Sequence, residues 1–522
     1  MNTKDTAAFD AIIAGSGIAG LIAACSLVER GAGRIAVLSP GYGGAPYIAA
    51  FNAVLPDSPS GDSPELYCSD MLAAGYGLGN RELVEALGAL TGECVALLER
   101  WGVSFARLED GRYRLRRASG SSCPRSLCRT DMLIGGHIVS VLRRELEKKG
   151  VLFFDNTSCV HLLVSGGRIA GTACLTAGEP LKTLRAPVVL AAWGGVGNLY
   201  GKSTYPADID GRTLAMGFEA GASLIDLEFV EFEPMVCYGP PDAVGEPCPT
   251  AMLGEGAYLL NSRGERFLLK VRPQGEAGAP KSLINNAIRE ELKAGNGTPL
   301  GGVYADLRHL DQKVLEAYPW FYERVKNAGL DVKHSLLEVG PMAHSHSGGL
   351  EIDSRCRTNI PGLFAAGEAA GGMHGACRMA GNAATQAAVS GLMAAVSMAE
   401  FPAKDLPGLP EIPRFSENQS LRAALLPHIR ETVSNYVERE RDGNGLKKAR
   451  AALAELRTRA ADDTFTEQCA LSGLLLAEAA LAREETRGTH NRTDFPEQRE
   501  EFTCSIRLKN ADGKVFMEHI RR

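Results

Sequence analysis

Apolar and polar positions along this chain switch between two periods, and each switch marks an element. Phe9-Asp10-Ala11-Ile12-Ile13-Ala14 is an apolar run suited to a buried parallel strand. It breaks at Gly15, and apolar residues from Ile18 to Leu27 continue as a helix. A second strand, Arg34-Ile35-Ala36-Val37-Leu38, follows at the spacing of a strand–helix–strand unit, and Val188-Val189-Leu190-Ala191-Ala192 repeats the strand pattern. Asn382–Ala399 lacks charge, but Asn382, Thr385, Gln386, Ser390 and Ser397 make it too polar for a membrane span, so it reads as a buried helix. Residues 417–485 carry helical periodicity, as in Leu421-Arg422-Ala423-Ala424-Leu425-Leu426 and Ala451-Ala452-Leu453-Ala454-Glu455-Leu456. The tail Cys504–Ile520 alternates apolar and polar residues around Asp512-Gly513, the pattern of a hairpin.

The turn after the first strand reads Gly15-Ser16-Gly17-Ile18-Ala19-Gly20. Glycines there permit a tight turn and let the backbone approach a pyrophosphate, whose charge is favoured at a helix N-terminus. The second strand ends in Ser39 where an acidic ribose ligand is usual, so the ribose contact is weaker or different. One such turn alone is weak evidence. Its partner lies far downstream, in Gly362-Leu363-Phe364-Ala365-Ala366-Gly367-Glu368 followed by His374-Gly375-Ala376-Cys377-Arg378-Met379-Ala380-Gly381-Asn382. The pair points to a large FAD enzyme whose nucleotide domain is interrupted by an insertion.

The expected fold is therefore α/β: a Rossmann-like FAD-binding domain split by an inserted α+β capping domain, then a helical C-terminal domain. Residues 7–235 alternate strand and helix patterns and form the first part of the FAD domain. Residues 236–345, where Pro and Gly punctuate the chain, form the cap, and 346–400 return to the FAD domain. The Pro-rich break Phe401–Phe415 precedes the helical domain, 417–500, and 501–522 is the hairpin tail.

With 522 residues the chain can bury a large core in several domains. A net charge of −6 argues against a general nucleic-acid binder. Its 13 cysteines show no CxxC pair and no His/Cys cluster, so reduced thiols are expected and no metal site. Met1–Asp5 leads straight into the first strand, which leaves no room for a signal peptide. The expected location is cytoplasmic, with any membrane association made through a partner, and no transmembrane segment.

Further motifs extend these segments: Leu72-Ala73-Ala74-Gly75-Tyr76-Gly77-Leu78-Gly79, Asp210-Gly211, Gly254-Glu255-Gly256-Ala257, Asn261-Ser262-Arg263-Gly264-Glu265-Arg266-Phe267, His344 with Gly348-Gly349, and Arg487-Gly488-Thr489-His490-Asn491-Arg492-Thr493-Asp494-Phe495-Pro496. Along nearly the whole chain these residues resemble the flavoprotein family of fumarate reductase, succinate dehydrogenase and L-aspartate oxidase. The resemblance implies a mobile cap over the flavin. It implies cofactor contacts at Gly15, Ser16, Gly17, Ala19, Gly20, Ser39, Gly44, Ala49, Gly194, Gly195, Asp210, Glu368, Asn382 and Ala383, with Glu368 holding an FAD hydroxyl. Covalent members attach FAD through a histidine, and Ala45 stands at that position, so the resemblance implies non-covalent FAD. The neighbouring family motif has become Ala49-Ala50-Phe51-Asn52.

For the chemistry, the resemblance implies a substrate carboxylate gripped by Arg378 and His344, with His346 as a rival in another register. Arg suits that task because its planar fork meets a carboxylate at two points. The opposite end departs from the family. Glu233, in Glu228-Phe229-Val230-Glu231-Phe232-Glu233-Pro234, replaces a histidine that follows an E-F-x-Q run, Leu253 replaces an arginine, Thr250 falls in a changed relay, and Lys281 aligns with the arginine that protonates substrate. A charged Glu233 would repel a second substrate carboxylate. It is otherwise an acid/base, or a partner for a cationic or hydroxylated substrate end. Burial can depress a lysine pKa, which would let Lys281 donate a proton.

The expected activity is an FAD-dependent oxidoreductase that moves hydride between flavin N5 and a small carboxylate-bearing substrate, with the second carboxylate site altered. Two alternatives stay open. One is an L-aspartate oxidase-like enzyme, and the other is a flavin-bearing electron-transfer subunit with an iron–sulfur partner.

Overall fold

The computed structural model describes residues 6–56, 58, 61–118, 120–402 and 406–521. Residues 1–5, which carry the signal-peptide reading, and 403–405 in the Pro-rich break lie outside the described residues. At the centre, five strands form a parallel sheet in the order Leu363–Ala365, Val189–Ala191, Ala11–Ala14, Ile35–Ser39, Leu152–Asp155. Parallel strands need both faces covered, and Ile12, Ile13, Val37, Leu190 and Leu363 are fully buried. Ala191 registers with both Ala14 and Ala365, so the strands carrying the two glycine segments end level with one another on either side of Val189–Ala191. The helices that follow them, Ile18–Glu29 and Asn382–Ala399, pack together. Gly391 permits that contact, because a Cβ there would overlap the Ala19 carbonyl.

One stretch differs from the expected alternation of strand and helix. Thr157–Ser165, Arg168–Thr176 and Lys182–Arg185 form an antiparallel meander, with Thr6–Ala8 parallel at its edge. Gly166 and Gly167 both have positive φ, which closes the first hairpin directly and leaves no length for a helix.

The segment between Met235 and Val339 builds its own hydrophobic core, with Leu253, Phe267, Ile288 and Phe321 buried in it. Its antiparallel sheet runs Val230–Cys237, Leu337–His346, Val303–Asp306, Tyr258–Leu260. The first two strands pass from one core to the other: Val230, Phe232 and Ala343 belong to the main core, and Met235, Cys237, Leu337 and Val339 to the second. This crossing decides where the site lies.

Three helices, Gln419–Tyr436, Gly443–Arg459 and Thr464–Ala482, follow. Asn418, Asp442 and Asp463 cap them, accepting from Leu421 N (3.0 Å), Asn444 N (2.9 Å) and Thr466 N (3.0 Å). The tail is a hairpin of Ser505–Ala511 and Lys514–Ile520, and it pairs with Leu224–Ile225 of the main body. Among the described residues, no helix is long and apolar enough to cross a membrane, and no group of three or more His, Cys, Asp or Glu is placed to hold a metal.

Candidate active site

The glycine turn divides its labour. Gly15 has φ +124°, and a Cβ there would overlap the Ala192 carbonyl; a Cβ at Gly20 would overlap the Gly15 carbonyl. Gly17 is less crowded, since a Cβ there would meet Tyr42 O at 3.6 Å in ordinary contact, and Gly44 faces open space, with nothing within 4 Å. Helix Ile18–Glu29 opens at Gly17 without a side-chain cap or an acidic residue in its first turn, so its N–H groups are left for an anion. Two buried donors, Nε1 of Trp193 and Nδ2 of Asn382, have no hydrogen-bond partner in the protein. An open, uncapped cradle with orphaned donors fits a cofactor that carries phosphates and many acceptors, as FAD does.

The remaining expected contacts divide. Ala19 and Gly20 are buried in the first turn of that helix, Ala383 is partly buried at the start of helix Asn382–Ala399, Ala49 is exposed, and Gly194 takes positive φ just after strand Val189–Ala191. Ser39 spends its hydroxyl on Ser16 (2.7 Å), which donates to Gly41 O (2.7 Å). Asp210 is held by Arg212 through Nη2 at 2.6 Å, so its carboxylate serves the scaffold. Asp208, absent from the expected set, accepts from Gly43 N (2.7 Å) and tethers the loop before Gly44. Glu368 accepts from Tyr205 Oη, from His346 N (2.9 Å) and from the Gly195 backbone; burial raises its pKa against those bonds.

At the crossing between the two cores, distant segments converge. Lys281, first residue of helix Lys281–Lys293, places Nζ 2.6 Å from Glu233 Oε2 and 3.2 Å from Glu231 Oε1. Arg378 Nη2 lies 3.4 Å from the other oxygen of Glu231, and its Nε donates to Ser345 Oγ at 3.4 Å and Nη1 to Met379 O at 3.2 Å. Ser345 Oγ donates to Glu231 at 3.2 Å. His344 Nδ1 is 2.9 Å from Thr204 Oγ1, which leaves Nε2 for a ligand. The four residues expected to do chemistry, His344, Arg378, Lys281 and Glu233, thus share one electrostatic cluster.

The electrostatics correct two expectations. Burial works to depress Lys281, but Glu233 and then Glu231 outweigh it and push its pKa up, so this lysine is held cationic and is not depressed. Burial likewise works to raise Glu231, but Arg378 and Lys281 outweigh it and hold the carboxyl well below its usual range. Glu233 does not face the site as a lone charge, because Lys281 neutralises it. Burial lowers His344 against the opposing pull of Glu233 and Glu231, which favours its neutral form near pH 7. His346 is a core histidine: its Nε2 pairs with Leu227 O (3.0 Å), and burial lowers its pKa to about 4. Leu253 lies in the second core, and Thr250 is only partly buried.

Sequence reasoning missed Glu231, Ser345, Thr204 and Tyr205. Glu231 alone left a signal, since it stands where the E-F-x-Q run ends in Gln. The C-terminal domain locks this geometry. Thr489 N donates to Ala376 O (2.9 Å) just ahead of Arg378, and Arg483 Nε donates to Glu228 (2.6 Å) just ahead of Glu231. Glu440 accepts from Arg289 (2.8 Å) and Lys293 (3.1 Å), at the far end of the helix that Lys281 begins.

Comparisons with known proteins agree with this arrangement. The FAD binding domain family matches residues 10–384, and the fumarate reductase flavoprotein C-terminal family matches 466–519. The chain is 32% identical to a fumarate reductase (CoM/CoB) subunit of Methanothermobacter marburgensis over 97% of this chain and 98% of that protein. It is 35% identical to L-aspartate oxidase of Mesorhizobium japonicum over 93% and 91%. A solved quinol-fumarate reductase with menaquinol molecules superposes with a TM-score of 0.88 at 27% identity, covering 99% of this chain and 98% of that one. Mycobacterium smegmatis Sdh1 in complex with UQ1 gives 0.88 at 27% identity, over 99% and 94%. A split parallel sheet, an uncapped glycine cradle and a matched C-terminal region place this chain in the fumarate reductase, succinate dehydrogenase and L-aspartate oxidase flavoprotein family, as an FAD-dependent oxidoreductase.

Proposed function

We propose that the enzyme binds FAD non-covalently and exchanges hydride with a small substrate carrying a carboxylate, which Arg378 and His344 hold. Gly17, Gly44 and the start of helix Ile18–Glu29 would hold the pyrophosphate, with Trp193 and Asn382 supplying the buried donors. Bound FAD supplies two-electron chemistry. The protein's own contribution is to anchor, orient and protonate. Arg378 is suited to anchoring because its three contacts are long, 3.2–3.4 Å, and a substrate carboxylate can displace them. Neutral His344 adds a hydrogen bond without a second fixed charge. Lys281, held cationic between two carboxylates, is a weak acid, so it gives up a proton only as negative charge develops on the substrate beside it.

The convergence of Arg378, His344 and Lys281 from three segments carries this reading. Anaerobic reduction of the FAD-loaded protein, followed by reoxidation with a panel of unsaturated carboxylates, tests it. At least one acceptor should restore the oxidised spectrum, and Arg378→Met should raise its apparent Kd at least tenfold. Indifference of the flavin to every member, in both directions, would refute it.

A second reading, an electron-transfer subunit with an iron–sulfur partner, is supported by the likeness to a protein named as one component of a fumarate reductase. Co-purification of an iron–sulfur protein with the full chain would favour it. The L-aspartate oxidase reading has identity on its side but must accommodate Lys281 in the acidic pair.

A further inference from the structure

The two cations of the site are not equally available. Arg378 meets its partners at 3.2–3.4 Å, whereas Lys281 is bound at 2.6 Å to Glu233 and at 3.2 Å to Glu231. Two cations therefore face two carboxylates, and only the Arg378 end can take an added anion without a tight pair being broken. A second observation concerns Asn285, one turn beyond Lys281 on the same helix face. Its Nδ2 donates to Phe232 O (3.0 Å), between Glu231 and Glu233, so its nitrogen is fixed by a carbonyl partner. Its Oδ1 is buried with no hydrogen-bond partner, and the residue is only 3% exposed. A buried acceptor left without a donor destabilises the free protein, and a ligand can relieve it.

We propose that this site selects a mono-anion: one carboxylate for Arg378 and, at the far end, an uncharged hydrogen-bond donor such as a carboxamide or hydroxyl, received by Asn285 Oδ1 and the Glu231–Glu233 pair. A distal carboxylate brings only acceptors and a second charge to a place already supplied with both. A distal amide brings N–H groups. This inference rests on the proposed carboxylate anchor and specifies the substrate class.

The test titrates the oxidised, FAD-loaded full chain with succinate and with its half-amide, read as perturbation of the visible flavin spectrum. It is followed by reoxidation of the reduced protein with fumarate and its half-amide. The half-amide is expected to bind at least tenfold more tightly than the dicarboxylate. Glu233→Gln frees Lys281 for a second carboxylate and should narrow that ratio to within about threefold. Asn285→Leu should erase the preference for the half-amide over butyrate, which a merely structural role would not do. Equal or tighter binding of the dicarboxylate by the native protein overturns the proposal, as does failure of both ligands to bind; neither result needs a variant to fold. Half-amide binding without any hydride exchange would leave the selectivity standing and sink the proposed reaction. Faster turnover of fumarate than of its half-amide would do the reverse.

Discussion

Replacing Arg483 by Met tests the claim that a buried charge network fixes the active-site strand. Arg483, Glu228 and Glu485 are all fully buried. The guanidinium donates to Glu228 at 2.6 Å, to Glu485 at 2.9 Å, to Phe502 O at 2.9 Å and to Cys504 O at 2.8 Å. Methionine keeps much of the apolar stem and removes every donor. Glu485 would still have Arg487, at 2.7 and 2.9 Å. Glu228 would not be so protected, because Arg441 bonds its backbone carbonyl and not its carboxylate. Removing one partner of a buried pair costs roughly 3–5 kcal/mol, mainly through the charge left behind. Adding Glu228→Gln removes that charge, so the double variant should recover about 2 kcal/mol relative to the sum of the singles. Urea titration of the four FAD-saturated proteins, followed by far-ultraviolet circular dichroism, measures the cycle. A single-variant cost below about 1 kcal/mol, or strict additivity in the double, would show that an uncompensated Glu228 is not what the arginine prevents.

Further outcomes follow from other parts of the structure. Gly15→Ala puts a Cβ into the Ala192 carbonyl at φ +124°, and should weaken FAD binding at least about tenfold, read as a lower visible-to-ultraviolet absorbance ratio. Acid precipitation of the native protein should release all of its yellow colour, whereas flavin retained in the pellet would contradict non-covalent binding. Glu440→Gln breaks two ion pairs, in which Glu440 is 18%, Arg289 25% and Lys293 58% exposed, so the cost should be about 1 kcal/mol or less; the expected sign is a higher KM with less salt dependence. For pH, Glu231 is depressed below its ordinary 4.5, so its stabilising contribution is present above that value and is lost as pH falls further. Lys281 is raised above its ordinary 10.5, so its contribution is present below that value and lost as pH climbs past it. Stability should therefore show no titration of this pair between about pH 5 and 10, and a step near neutrality that Lys281→Met abolished would contradict the assigned charges.

The periodic pattern alone was enough for many of the elements, though not for the antiparallel meander at 157–185. The strand at Ala11–Ala14, the helix at Asn382–Ala399, the three C-terminal helices and the tail hairpin all lie where apolar spacing and turn residues place them. Local backbone chemistry determines such elements, and it is written within a few residues of each position. The glycine turn was legible for the same reason. Gly15 and Gly20 are required by contacts, whereas a Cβ at Gly17 would meet only ordinary neighbours, and that division comes from the packing.

What the sequence could not decide is which charges cancel. Lys281 and Glu233 are 48 residues apart, and Glu231 and Ser345 are 114 apart. Read singly, Glu233 is a repulsive charge and Lys281 a base whose pKa is lowered by burial. Brought within hydrogen-bonding distance at the crossing of two strands between two cores, each reverses the other's sign of effect. Electrostatic energy depends on separation through folded space, and burial multiplies it, so a carboxylate's meaning changes completely with its neighbour. The chain order carries most of the fold and the glycine turn; only tertiary packing fixes the charge balance among Glu231, Glu233, Lys281 and Arg378.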